Sequence, residues 1–294
     1  MTATRTSRRG AAFAVLCLAA FTINLDTTIV NVALPSLVRE LGATTSELQW
    51  VVDAYLLSFA ALVLAGGSLG DRFGRKGALL SGFALFGTAS AVGGLVDTPT
   101  ALAVVRALMG VGAALIFPAT LSIISNLYTE RHERARAIGI WGAMTGLGVV
   151  VGPIAGGWLL EHFWWGSVFV ALAPVAAVGL LATALFVPTS RDPATPPLDL
   201  GGLGLSMLTM GTLVFTIIEA PDRGWTAPTT IGGFAAAAIG AMVFGAWERR
   251  RAHPMLDISL FRNLRFTAAS GSITTAFFAL AGFGFLITQY FQFL

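Results

Sequence analysis

Gly67-Ser68-Leu69-Gly70-Asp71-Arg72-Phe73-Gly74-Arg75-Lys76-Gly77-Ala78-Leu79 places four charges within the six residues 71–76, with Trp50 to Leu69 before them and Ala78 to Val96 after them. Each flanking stretch is predominantly apolar and has about the 20 residues that a helix needs to span the hydrocarbon core. The segment therefore reads as a short charged turn between two helices that cross a bilayer. Seven further stretches have the same character: Ala11 to Leu34, Leu102 to Ile124, Ile138 to Leu160, Val168 to Val187, Leu200 to Ile218, Ile231 to Trp247, and Phe266 to about Ile287. The reading is thus an all-α integral membrane protein with about nine transmembrane helices.

Composition supports the same solvent. Of 294 residues, 55% are hydrophobic and only 11% charged, too few to coat a soluble fold of this size. The single cysteine, Cys17, excludes a disulfide framework and any cluster built on paired thiolates. No cofactor or metal is called for. The formal charge of +3 is not gathered into a basic face, so nucleic acid is excluded as a partner. An enzyme is excluded because His132, His162, His253 and Cys17 fall in separate loops or at lipid depth, and no nucleophile, base and orienting group converge. The partners that remain are membrane lipid, a small-molecule substrate and protons.

The distribution of Lys and Arg sets the topology. Fifteen of the 18 lie on the side of the N-terminus, in the tail, in Arg72 to Lys76, in Arg131 to Arg136, at Arg191, and between Arg249 and Arg265. Arg39 and Arg223 fall on the other side, and Arg106 falls inside the fourth span. The N-terminus is therefore read as cytoplasmic. Trp50, Trp164, Trp165 and Trp225 at outer ends and Trp247 at an inner one suit the two interfaces. Ser7-Arg8-Arg9 has the outline of a twin-arginine export signal, but the apolar run that follows is too long for one and carries Asp26 and Asn31. It reads as a first helix.

Ionisable groups at bilayer depth are costly and are candidates for a proton or substrate path. Asp26 lies past the middle of the first span, and Arg106 lies at a compatible depth in the outer half of the fourth. Asp26 reads either as a group that takes and releases a proton or as a carboxylate that snorkels to the outer interface or caps a neighbouring helix end. Arg106 cannot lose its charge, so it either faces a polar cavity or snorkels. Asp53 sits one turn inside the outer end of the second span, and Glu219 at the outer end of the seventh reads as interfacial. Gln289, Tyr290 and Gln292 line a path on the ninth span or mark its end. On the fifth span, Gly142, Gly146, Gly148, Gly152, Gly156 and Gly157 with Pro153 read as a pivot or as a static close-packed seam.

The Gly67 to Leu79 stretch resembles the cytoplasmic signature of the major facilitator superfamily. Arg106 with Gly110 and Gly112 is similar to the fourth-helix signature of its proton-coupled members, and Gly148-Val149-Val150-Val151-Gly152-Pro153-Ile154-Ala155-Gly156-Gly157 to its fifth-helix antiporter signature. Leu25 to Pro35 resembles the first-helix signature of the 14-helix drug:proton antiporter branch, which implies a multi-pass exporter of drug-like or amphipathic compounds in the plasma membrane. The resemblance implies proton coupling at Arg106 and cation or proton handling at Asp26; Asp53, from its position in the second span, is a further candidate for proton coupling or transport. It implies a gating loop formed by Gly67, Gly70, Asp71, Arg72, Gly74, Arg75 and Lys76, with Asp71 meeting the positive end of a helix in the second half. It implies an antiporter bend at Gly148, Gly152, Pro153, Gly156 and Gly157.

On that pattern, residues 1–10 form a cytoplasmic tail and 11–187 an N-terminal six-helix bundle, joined through a linker at 188–199 to two inserted helices at 200–247. A cytoplasmic connector at 248–265, with an amphipathic stretch from Met255 to Phe261, leads to 266–294, the first helix of an incomplete second bundle. The resemblance thus implies a C-terminally truncated chain. Such a chain either is the N-terminal part of an exporter or associates with another membrane chain as a non-transporting regulator.

Overall fold

The computed structural model describes the backbone of residues 2–191, 199–252, 254 and 258–293, and side chains within 8–191, 199–252, 254, 258–279 and 282. Residues 192–198 of the linker, Met255 and Leu256 of the connector, and the side chains of Gln289, Tyr290 and Gln292 lie outside the described residues.

The helices are α1 (Thr2–Leu41), α2 (Thr45–Phe73), α3 (Arg75–Gly93), α4 (Pro99–Leu127), α5 (Arg131–His162), α6 (Ser167–Val170), α7 (Leu172–Phe186), α8 (Leu200–Arg223), α9 (Pro228–Arg250) and α10 (Leu264–Phe293), with a 3-10 turn at Ile258–Arg262. No strand occurs among the described residues. Among the described residues, seven segments are long and apolar enough to cross a membrane, with Ser167–Phe186 forming one of them from α6 and α7. The third expected span is α3, which is not among the seven because its 19 residues open with Arg75-Lys76.

Helix ends follow local chemistry. Thr44 accepts from the Glu47 N–H at 3.3 Å while the Glu47 carboxylate accepts from the Thr44 N–H at 2.9 Å, a reciprocal cap that starts α2. Pro99 and Pro228 occupy the first positions of α4 and α9, where a missing N–H removes no helical bond. Several helices run beyond the apolar stretch. Residues 2–10, read as a separate tail, continue α1, and Arg131 to Arg136, read as a loop, form the first turns of α5. Hydropathy marks the lipid-embedded part of a helix, whereas backbone hydrogen bonding continues into water.

α1 to α7 form one bundle. α4 packs against α2 and α3, α1 against α5 and α7, and α3 against α7. The core contains Leu16, Ile29, Leu37, Leu79, Phe83, Phe86, Met109, Ile116 and Phe169, all at most 2% exposed. Small residues let the backbones approach. A Cβ at Gly66 would overlap the Ala114 carbonyl, and one at Gly110 the Tyr55 carbonyl, so α2 and α4 lie nearly backbone to backbone.

α8 and α9 pack against each other, and α8 meets the bundle along α2. At that contact Glu219 accepts from Ser46 Oγ at 3.4 Å and Trp50 Nε1 at 3.5 Å and pairs with Arg223 at 3.1 Å, so the residue read as merely interfacial joins two helices. Among the described residues α10 packs only on the 3-10 turn, leaving Ile273, Phe277 and Phe278 exposed.

Candidate functional site

The polar run on α1 disposes of most of its own hydrogen-bonding groups. Thr22, Thr27 and Asn24 donate to the carbonyls of Leu18, Ile23 and Ala20 in the preceding turn. Thr28 does the same with Asn24 and Leu25. Asp26, an acceptor when ionised, finds no such local donor. It turns toward α4, where Arg106 Nη1 donates to its Oδ1 at 2.8 Å and its Oδ2 at 2.7 Å. The carboxylate is 0% exposed and Arg106 only 1%. Both snorkelling readings are therefore replaced by a buried ion pair between α1 and α4.

α2 completes the enclosure. Arg106 Nε donates to the Val51 carbonyl at 3.1 Å, and the guanidinium carbon stands 4.3 Å from the centre of the Tyr55 ring. A cation over an aromatic face is stabilised most when both are desolvated, and Tyr55 is 1% exposed. Its hydroxyl lies 3.5 Å from the Ile23 carbonyl on α1. Three helices thus hold a carboxylate, a guanidinium and an aromatic face together without a wide opening. Sequence reading missed Tyr55 and the Val51 carbonyl. A tyrosine inside an apolar span, with a polar tip that needs a partner, was the available signal for the first; a backbone carbonyl carries none.

Asp53 does not join this group. Val51 and Tyr55 both face Arg106, and a residue midway between them is turned about 200° from each, to the opposite side of α2. There Asp53 is half-buried and makes no hydrogen bond or ion pair with the described residues. Asp53 therefore lies apart from the Asp26–Arg106 pair.

From Tyr55 an aromatic row leads along the bundle. Tyr55 stacks with Phe59 at 6.5 Å between ring centres, Phe59 meets Phe117 edge-on at 5.6 Å, and Phe117 lies 5.2 Å from Trp141. Trp141 Nε1 donates to Thr120 Oγ1 at 3.2 Å, so its polar tip is satisfied and its ring fixed.

The glycines of α5 divide into two sets. Gly148, Gly152 and Gly156, spaced by four, face α1: a Cβ at Gly152 would overlap the Thr28 side chain, one at Gly148 would lie 2.6 Å from the Phe21 carbonyl, and one at Gly156 3.0 Å from Ile29. Thr28 Oγ1 also reaches the Gly148 carbonyl at 3.5 Å. Gly142, Gly146 and Gly157 meet open space among the described residues, so part of the glycine set lies away from α1. Pro153 is exposed, and α5 continues through it as one helix.

In the α2–α3 turn, Gly74 has φ 120° and ψ 121°, a conformation that requires glycine. A Cβ at Gly70 would meet Ala78 and one at Gly67 would meet Pro118 of α4, each at 3.3 Å. Asp71 pairs with Arg75 at 2.6 Å, inside its own turn. The Arg75 N–H donates to the Ser190 carbonyl at 2.9 Å, and Lys76 Nζ to the Ala184 carbonyl in the last turn of α7 at 2.7 Å. The turn thus fastens the end of the bundle where the chain leaves for α8. Arg72 is exposed and stands 5.6 Å from the Phe73 ring centre.

A family model described as Major Facilitator Superfamily matches residues 16–294. Among curated relatives, the chain is 38% identical over 272 residues to the multidrug resistance protein Stp of Mycobacterium tuberculosis, covering 92% of this chain and 51% of Stp. It is 39% identical over 290 residues to the multidrug efflux pump LfrA of Mycolicibacterium smegmatis, covering 98% of this chain and 57% of LfrA. It is 35% identical to the methylenomycin A resistance protein of Bacillus subtilis, covering 95% and 59%. A crystal structure of the peptide transporter POT in complex with sulfate has the same fold, with TM-score 0.61 at 18% identity, covering 83% of this chain and 53% of the transporter. The chain spans about half the length of these relatives.

Proposed function

We propose that this chain, which belongs to the major facilitator superfamily, a family of transporters and not of enzymes, forms the proton-coupling half of a drug:proton antiporter of the 14-helix branch. It would lie in the plasma membrane with its N-terminus in the cytoplasm, as the bias of 15 of 18 basic residues toward that side supports. The exported compounds would be drug-like or amphipathic, in keeping with the multidrug efflux and resistance relatives.

The buried Asp26–Arg106 pair carries the proposal. A proton arriving on Asp26 neutralises the carboxylate and leaves Arg106 with the Val51 carbonyl and the Tyr55 ring. The guanidinium keeps its charge, so the protonated state loses the ion pair that links α1 to α4. Because α1 is sealed to α5 along Gly148, Gly152 and Gly156, a shift of α1 carries α5 with it. Proton loss restores the pair. The two protonation states thereby favour two arrangements of α1 and α5 against α2 and α4, as an alternating-access cycle requires. Phe59 and Phe117, the partly exposed rings of the aromatic row, would supply apolar faces for a flat substrate near the pair.

The test is efflux of ethidium from membrane vesicles that contain a complete antiporter including this chain, driven by an imposed pH gradient. Asp26→Asn is expected to abolish efflux while membrane insertion is retained. Unchanged efflux in the variant, at equal protein level, overturns the assignment.

A further inference from the structure

At the C-terminal end of α9 lies a cleft of about 390 Å³ lined by Val243, Ala246, Trp247, Arg250 and Arg251. These positions recur at helical spacing and make one stripe, apolar at one end, aromatic in the middle and basic at the other. Ile239, Met242 and Val243 are between 46% and 67% exposed, so the apolar end of the stripe is open.

The aromatic wall is preformed. Trp247 Nε1 donates to Asp199 Oδ2 at 2.8 Å, and the indole lies so close to Gly201 of α8 that a Cβ there would overlap it. Arg251 stacks on the same ring at 4.1 Å, with its Nε 3.7 Å from Asp199 Oδ2. Asp199 is further engaged by the Gly202 N–H at 3.0 Å. The Asp199 carboxylate beside Trp247 is thus already engaged, the Glu248 side chain is buried against Gly202 of α8 and not in the cleft lining, and Arg250 makes no ion pair with the described residues. Between Glu248 and Arg265 the sequence carries five arginines against two carboxylates, so the surroundings are short of negative charge.

We infer that this cleft binds an anionic phospholipid, with the phosphate on Arg250 and Arg251, the glycerol level at Trp247 and an acyl chain along Val243 and Ile239. An aromatic ring at interface depth with basic side chains just beyond it matches the order of chemistry along such a lipid. A free phosphate would leave the apolar end unoccupied. The inference rests on the orientation proposed above, which sets the basic end at the anionic cytoplasmic leaflet.

The test places the protein in phosphatidylcholine nanodiscs doped with either brominated phosphatidylglycerol or brominated phosphatidylcholine. The fluorescence component lost in Trp247→Phe reports on the cleft. Both leaflets of a nanodisc have one composition, so the result depends neither on orientation nor on transport, and its failure is separable from failure of the antiporter reading. Preferential quenching of Trp247 by the anionic lipid is expected. Arg250→Gln should lower that preference roughly fivefold, Arg250→Lys should retain most of it, and Arg136→Gln on α5 should leave it unchanged. Equal quenching by the two lipids, or a preference that survives in Arg250→Gln, overturns the inference.

Discussion

Arg106 Nη1 donates to both oxygens of Asp26, at 2.8 and 2.7 Å, across 80 residues of sequence and with neither residue more than 1% exposed. Removing one member strands a buried charge, whereas removing both leaves a neutral contact. That asymmetry separates a structural role of the pair from a proton-coupling one.

Asp26→Asn should destabilise the folded protein by about 3 to 5 kcal/mol, because Arg106 keeps its charge and loses its counter-ion. The double variant Asp26→Asn with Arg106→Gln should recover much of this loss in a thermal unfolding assay in detergent. Proton-driven efflux should remain absent in both. Efflux that returns with stability would assign the pair a structural role alone.

The α1–α5 seam discriminates among its glycines. Gly152→Ala should lower the unfolding temperature by several degrees, since the added methyl would overlap Thr28. Gly157→Ala meets open space and should match or slightly exceed the parent, through the better helix propensity of alanine. Equal unfolding temperatures for the two variants would contradict the seam.

Glu219 is the polar link between α8 and α2. Glu219→Ala removes the acceptor shared by Ser46 and Trp50 and the partner of Arg223. The cost should be small, at most about 1 kcal/mol, because the cluster is partly solvated. Its mark should be local: faster amide exchange in the last turns of α8, with no change along α1. Unaltered protection of α8 would remove this residue from the contact.

Asp199 caps α8 from outside the membrane-spanning segment. Burial pushes its carboxyl up, but hydrogen bonds from Gly202 and Trp247, with the nearby charge of Arg251, together bring it below the ordinary aspartate value. A group lowered on folding stabilises the fold fully above its ordinary value of about 3.9, and this is lost as the pH falls from there through the lowered folded value. The parent should therefore unfold at a higher temperature than Asp199→Asn at pH 7, with the difference shrinking below about pH 4. A difference that holds constant across that range would show that the charge of Asp199 contributes nothing.

Thr44 with Glu47, Pro99, Pro228 and Gly74 mark helix ends and a tight turn through local chemistry, because caps and glycine conformations are set within a few residues. The apolar runs announce helices for a related reason: a backbone in lipid must satisfy its own hydrogen bonds, and a continuous helix does so. Helix ends beyond the apolar runs were not legible, since helical bonding continues into water at both ends of α1 and α5. Tyr55 was passed over because its partner is 51 places along the chain, on another helix.

By itself the sequence determined that the chain is helical and membrane-embedded, where its charged turn falls, and that Asp26 and Arg106 stand at comparable depth. Depth along a helix follows from counting residues. Only the tertiary structure decided which face of each helix meets which neighbour: that Asp26 meets Arg106 while Asp53 does not, that Asp71 turns to Arg75, and that three glycines of α5 touch α1 while three others stand open. Those outcomes depend on how each helix is rotated about its axis against its neighbours, and that rotation is fixed by the packing of all of them together.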